Sequence, residues 1–160
     1  HSPMKLYVHT PDIYALTLSG SGLIWADTVK TSSLEVSIPG SGNIDIYAEA
    51  TTVSAEISGS GEIDFGMLAS SLHAKISGSG DIDLWGEINN SNMTISGSGS
   101  IRAYDLSQLE CITNISGSGN MYVNVEDFLY VKISGSGSIY YMGNPSIETN
   151  ITGSGQVIHQ

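Results

Sequence analysis

Five acidic residues fall at matching places in a repeating frame. Asp45, Asp64 and Asp83 follow one another at intervals of 19 residues, and Glu62 and Asp81 stand two residues ahead of Asp64 and Asp83. If successive copies of the frame stack, these carboxylates approach to about 5 Å, the spacing of hydrogen-bonded strands. Like charges at that distance repel and a bound cation relieves them; a cluster rich in carboxylate oxygen favours calcium. The plainer alternative is a solvated acidic face. Aromatic residues share the frame. Trp25, Tyr122 and Tyr140 occupy the aspartate position in other copies, together with Arg102 and Ile158, while Tyr47, Trp85 and Tyr104 stand two residues further on. Rings stack on the C–H faces of sugars and carboxylates accept hydrogen bonds from hydroxyls, so the mixture suits a glycan; a protein partner or a second copy suits an aromatic surface equally. A pair such as Asp64 and Asp83 is also the minimum for cleaving a glycosidic bond. That reaction needs one carboxyl held protonated in a cleft, which a regular ladder does not supply.

Other reactive groups are sparse. His9, His73 and His159 fall at unrelated places in the frame, and no Ser/His/Asp spacing emerges. Cys111 is the lone cysteine, so neither an internal disulfide nor a zinc site is encoded, and the expectation is a buried packing thiol. Five Lys and Arg against 16 Asp and Glu give a net charge of −11. Nucleic acid and anionic membranes are poor partners for such a chain, because both require basic residues. No apolar run is long enough for a transmembrane segment, and the chain opens on His1-Ser2-Pro3 without a recognisable leader.

What positions these side chains is the tripeptide Gly-Ser-Gly, which occurs eight times, at residues 20–22, 40–42, 59–61, 78–80, 97–99, 117–119, 135–137 and 153–155. A period of 18 to 20 residues marks a solenoid. Around each tripeptide the sequence alternates. In Val53-Ser54-Ala55-Glu56-Ile57-Ser58-Gly59-Ser60-Gly61-Glu62-Ile63-Asp64-Phe65 every odd position is apolar or glycine. Period two means strand, with odd residues inside, and the alternation runs through the tripeptide, so its glycines face in and its serine faces out. Glycine there is expected for a sharp corner, where a side chain would meet the opposite wall and unusual backbone angles are needed. Segments rich in Gly, Asn and Ser, such as Gly66–Ser71 and Gly86–Ser91, read as turns that close each coil and absorb its variable length.

Stacking about eight coils at ~4.8 Å gives a parallel β-solenoid about 40 Å long. Ile38, Ile57, Ile76, Ile95, Ile115, Ile133 and Ile151, begun by Leu18, are expected to form one interior column; Ile24, Ile44, Ile63, Ile82, Ile101, Met121, Ile139 and Val157 form the next. Residues 1–15 read as an N-terminal strand or cap, with Met4–Thr10 as the strand and Pro11 as its break, and residues 16–160 as the repeats of a single domain. The chain stops at Gln156–Gln160 inside a strand, so an open end and self-association into a homo-oligomer are expected.

The block Ile-Ser-Gly-Ser-Gly-x-Ile, at Ile57–Ile63, Ile76–Ile82, Ile95–Ile101 and Ile133–Ile139, resembles the bacterial head GIN domain family of auto-transporter adhesins, common in Bacteroidetes. The resemblance runs from about Leu16 to the C-terminus. It implies an all-β, single-stranded, right-handed parallel β-helix that is secreted, periplasmic or at the cell surface, with an adhesive role and no catalytic residues to carry over. The expectation is therefore a non-catalytic surface protein that presents an aromatic and acidic face to a glycan or protein partner, with no cofactor other than a possible calcium ion in the aspartate ladder. A polysaccharide-active enzyme and a purely structural, self-associating module are the alternatives.

Overall fold

A computed structural model of the chain describes residues 6–8, 10 and 12–160. Its strands are β1 (Ala15–Thr17), β2 (Leu23–Ile38), β3 (Asn43–Ile57), β4 (Glu62–Ile76), β5 (Asp81–Ile95), β6 (Ser100–Ile115), β7 (Asn120–Ile133), β8 (Ile139–Met142), β9 (Ser146–Ile151) and β10 (Val157–His159). Every pairing is parallel, each strand lies on the next in chain order from β1 to β8, and β9 and β10 close the stack on β7 and β8. This is a parallel β-solenoid of about eight turns in which one long strand makes one coil.

Both interior columns form as the alternation requires. Ile38, Ile57, Ile76, Ile95, Ile115, Ile133 and Ile151 are register partners in sequence, as are Ile24, Ile44, Ile63, Ile82, Ile101, Met121, Ile139 and Val157. From Ile38 to Ile139 the members of both columns are buried. Each such side chain withdrawn from water contributes about 1.5–3 kcal/mol, which makes the columns the principal stabilising feature.

The corner serines are exposed and the second glycines from Gly42 to Gly137 are buried, as the phase predicts. The reason for glycine differs from the expected one. A Cβ on Gly59, Gly78, Gly97, Gly117, Gly135 or Gly153 would run into the carbonyl oxygen of the corner glycine one coil earlier; the opposite wall is not what it meets. Nor do the corners need left-handed backbone: among the described residues only Gly86 (φ 116°) and Gly143 (φ 92°) have positive φ. The corner is glycine because coils approach closely there. Backbone hydrogen bonds hold that approach, for example Ser79 N–H to the Gly59 carbonyl at 3.0 Å and Ser98 N–H to the Gly78 carbonyl at 3.1 Å.

The closing segments also depart from expectation. Tyr47 to Ala50 pair with Gly66 to Ala69 in unbroken register, so Gly66–Ser71 belongs to a strand and is no turn. What changes there is the phase. Ile63, Phe65 and Met67 point inward, then Leu72, Ala74 and Ile76, and the slip between the two sets leaves Leu68 half exposed. Length variation is absorbed by register shifts at Ala26/Thr28, Asp83/Trp85, Ala103/Ser107 and Gln108/Glu110. At the N-terminus, Leu6, Tyr7 and Val8 lie outside any strand and are exposed, whereas Met4, Lys5, His9 and Pro11 of the expected strand and its break lie outside the described residues.

Cys111 is buried, as its phase predicts, and its thiol shares a hydrogen bond with the Ser91 hydroxyl oxygen 3.2 Å away. Burial pushes its pKa up to about 12, with the Ser91 bond opposing only in part. The native thiol is therefore neutral across ordinary pH and unreactive, since the thiolate is the nucleophile. We expect no labelling by a thiol reagent until the chain unfolds. The sign of the pH dependence follows. The folded pKa lies above the ordinary value of 9.0, so this stabilisation is complete below about pH 9 and declines as pH rises toward 12. Urea melts of the wild type and Cys111→Ala across that window would show a steeper decline in the wild type, the difference being the Cys111 contribution, since Tyr104 titrates in both.

Candidate functional site

The long strands fix the outer face as firmly as the core, because one register aligns both. Trp25, Asp45, Asp64, Asp83, Arg102, Tyr122, Tyr140 and Ile158 are successive register partners along the whole stack. Glu62 and Asp81 are likewise partners, on the same face. The sequence-derived acidic residues therefore do come together, yet four of the five, Glu62, Asp64, Asp81 and Asp83, do not stand as bare carboxylates. Arg102 places Nη1 3.1 Å from Asp83 Oδ2 and Nη2 3.1 Å from Asp81 Oδ2, clamping two carboxylates of the β5 rung with one guanidinium. Burial weakens its charge, but the hydrogen bond to Asp81 and the charges of Asp83 and Asp81 raise its pKa above the ordinary value, so Arg102 is a permanent cation in the ladder. Asn43 donates from Nδ2 to Glu62 at 3.3 Å, and Asp81 also accepts the Ser100 N–H at 2.9 Å. Among the described residues no group of three or more His, Cys, Asp or Glu is placed to hold a metal ion.

Trp85 is the best-defined side chain of the face. Its Nε1–H donates to Asp64 Oδ1 at 3.0 Å, one coil back, and its ring stacks on Tyr47 two coils back, with centroids 5.4 Å apart and planes 30° apart. The indole reaches that far because the intervening residue is Gly66, where a Cβ would fall among the ring atoms Cζ2, Cε2 and Cη2. Gly66 is thus a seat for the indole, which remains 43 % exposed on its other side.

The aromatic row expected to be continuous divides in two. The register shift after Asp83 pairs Trp85 with Asp105, which leaves Tyr104 in the bulge. Tyr104 meets Tyr122 edge to face at 5.6 Å, and Tyr122 stacks on Tyr140 at 5.0 Å with planes 9° apart. Burial, then the neighbouring Tyr122 and Tyr140 hydroxyls, raises the Tyr104 pKa, so Tyr104 is uncharged in neutral solution. Trp25, 67 % exposed, stands apart at the N-terminal end beside Asp45. Seen along the stack, the face carries Trp25, then Tyr47 and Trp85 with Asp64, then the Arg102 clamp, then three tyrosines. Such a face offers flat rings and carboxylate acceptors spaced by the ladder, on an open surface with no enclosing walls.

Sequence reasoning missed two features. The clamp was signalled by Arg102 standing 19 residues after Asp83, the interval that aligns the acids themselves. The other is a polar pair inside the coil: Ser91 and Gln108 are buried, with Ser91 Oγ donating to Gln108 Oε1, beside Thr113, which the alternation does turn inward and whose Oγ1 donates to the Tyr130 carbonyl at 2.9 Å. Gln108 sits after the bulge in β6, where period-two counting loses its phase.

The fold and the face together define a class, the parallel β-solenoid with an aromatic and acidic outer face. The sequence profile of a bacterial family described as "Putative auto-transporter adhesin, head GIN domain" matches residues 1–66 and 50–145, and the chain belongs to that family. Three solved structures share the fold. A "putative lipid binding protein" from Parabacteroides distasonis is 29 % identical with a TM-score of 0.88, the match covering 91 % of this chain and 61 % of that one. A "putative adhesin" from Parabacteroides merdae is 24 % identical with a TM-score of 0.90, covering 92 % and 63 %. A second "putative adhesin", from Bacteroides fragilis, is 18 % identical with a TM-score of 0.80, covering 93 % of both chains. The chain spans about three-fifths of the length of the two Parabacteroides structures. No curated protein matches it.

Proposed function

We propose that the chain is a non-catalytic, adhesin-like binding protein of the cell surface or periplasm, and that its aromatic and acidic face takes a glycan. The observation that carries this reading is Trp85, held in place by Gly66, Tyr47 and Asp64 with part of its ring left open. An oriented indole beside a carboxylate provides a stacking platform for a sugar ring and an acceptor for its hydroxyls, with little side-chain entropy left to lose on binding. A protein partner is the second reading, favoured by the three-tyrosine cluster, since tyrosine is enriched in protein interfaces. Family membership supports the surface location and the binding role.

Catalysis fits less well. Asp83 is tied to Arg102 and Asp64 to Trp85, both on an open sheet, whereas glycoside cleavage needs one carboxyl kept protonated. Nor do we carry over lipid binding from the P. distasonis protein. The coil interior is filled by side chains such as Phe65, Met67 and Met93, and a surface depression between the closing segments, lined by Leu68, Ile88 and Leu109 among others, measures about 230 Å³. That is below the usual size of a small-molecule site.

A glycan-array screen of the wild type, with and without calcium, against Trp85→Ala and Asp64→Ala tests the reading. Binding by the wild type and a loss of about tenfold or more in either variant, the size of one aromatic contact of about 1.4 kcal/mol, is the expected result. Absence of wild-type binding under every condition would overturn it in favour of the protein-contact reading. Calcium dependence lost in Asp64→Ala would assign the ion to the ladder.

A further inference from the structure

The Arg102 clamp shows how the ladder holds a cation, and it stops short of the aromatic platform. Asp81 and Asp83 share the guanidinium, whereas Asp45 and Asp64, register partners on the two rungs before, have no cation paired with them among the described residues. Two other cations are engaged elsewhere, Lys30 with Glu49 and Lys75 with Glu56. Lys132 stands in the column of Asn114 and Asn150.

Rings and acids make a grid of four places. Asp45 and Tyr47 stand two residues apart on β3, Asp64 and Gly66 two apart on β4, and the parallel register sets them rung on rung. The Trp85 indole lies over Gly66 and takes the fourth place, stacked on Tyr47 and tied through Nε1 to Asp64 Oδ1. Two residues of strand span about 7 Å and adjacent rungs about 4.8 Å, so a sugar ring lying on the indole reaches both acids with a substituent. The surroundings decide the charge of that substituent. On β3 to β6 these columns carry Asp45, Glu62, Asp64, Asp81, Asp83 and Asp105 against Arg102 alone. A uronic acid or a sulfated sugar is repelled there. A protonated amine is attracted by the carboxylates and by the faces of the rings.

We infer that the glycan taken by this face carries a free, protonated amine, as glucosamine does, with the sugar ring on Trp85 and its ammonium between Asp45 and Asp64. The inference rests on the glycan reading of the face and adds the class of sugar. Asp45 and Asp64 then do for the ligand what Asp81 and Asp83 do for Arg102, and Asp64 has a second task in orienting the indole.

Calorimetric titration of the wild type with a glucosamine tetramer and with its N-acetylated counterpart, at about pH 6 where free amines are protonated, tests the assignment. At low salt the amine-bearing tetramer should bind about fivefold or more tighter, and the margin should shrink as added salt screens it. Asp45→Asn removes one carboxylate and leaves the Asp64 bond that holds Trp85. It should narrow the margin to about twofold or less. Equal or tighter binding of the N-acetylated tetramer overturns the inference and leaves the glycan reading standing. Failure of both tetramers where the glycan array finds another ligand does the same, whereas failure of both with a blank array overturns the two together. A margin unchanged in Asp45→Asn, equal affinity for a lysine tetramer, or binding that requires calcium also overturns the inference, because the charge is then met by other acids, without a sugar, or by a metal ion.

Discussion

Gly78→Val is expected to abolish the folded state. Its Cβ would enter the space held by the Gly59 carbonyl oxygen, backbone that cannot move aside without breaking the Ser79 N–H to Gly59 bond. Relief would require prising one coil from the next in mid-stack, where the ladder is continuous on both sides. Overpacking against flexible side chains costs typically 1–3 kcal/mol; against fixed backbone the cost should exceed about 4 kcal/mol, a large part of the stability of a domain this size. Ser79→Val, one residue on and exposed, should stay within about 0.5 kcal/mol of the wild type. Urea denaturation followed by circular dichroism separates the two. A folded Gly78→Val with ordinary stability would show that the corners are not close-packed.

The second large effect is a void. Phe65 is the largest fully buried side chain of the core, on the inward face of β4 between register partners Ile46 and Leu84. Phe65→Ala should cost about 3–5 kcal/mol, the transfer free energy of the ring plus the cavity it leaves. Because each coil touches only its neighbours, the damage should also divide the stack, with β1 to β3 and β5 to β10 losing their coupling. The measurable sign is a broadened or two-step melt in place of a single transition. A loss below about 1 kcal/mol with one sharp transition would mean that neighbouring coils collapse into the gap.

The parts that sequence reading captured are those that obey a strict period. Isoleucine at a fixed distance from each Gly-Ser-Gly placed both interior columns and, with them, the partners of Asp64, because one register sets the inner and outer faces together. The family resemblance rests on the same blocks. Where the period lapses, legibility goes with it. The closing segments looked like turns because Gly, Asn and Ser abound there, yet parallel neighbours supply ladder bonds that override local preference, and the chain changes phase without leaving the sheet. Tyr104 was grouped with Trp85 by counting, and a one-residue shift after Asp83 sends it to the other cluster. Gly66 reads as a loop residue, and only in the folded chain does Trp85 lie over it on the way to Tyr47.

The uniform register has a kinetic corollary. Every strand pairing joins residues 17 to 20 apart in the chain, from Ser107 with Asn124 to Leu23 with Asn43, and only adjacent rungs pair. Each added coil therefore closes a loop of nearly the same length, at nearly the same entropic cost, whatever the size of the finished protein. Once the first pair of rungs has nucleated, growth becomes a zipper of equal steps, and the folding time should scale with the number of coils without meeting a slow long-range closure.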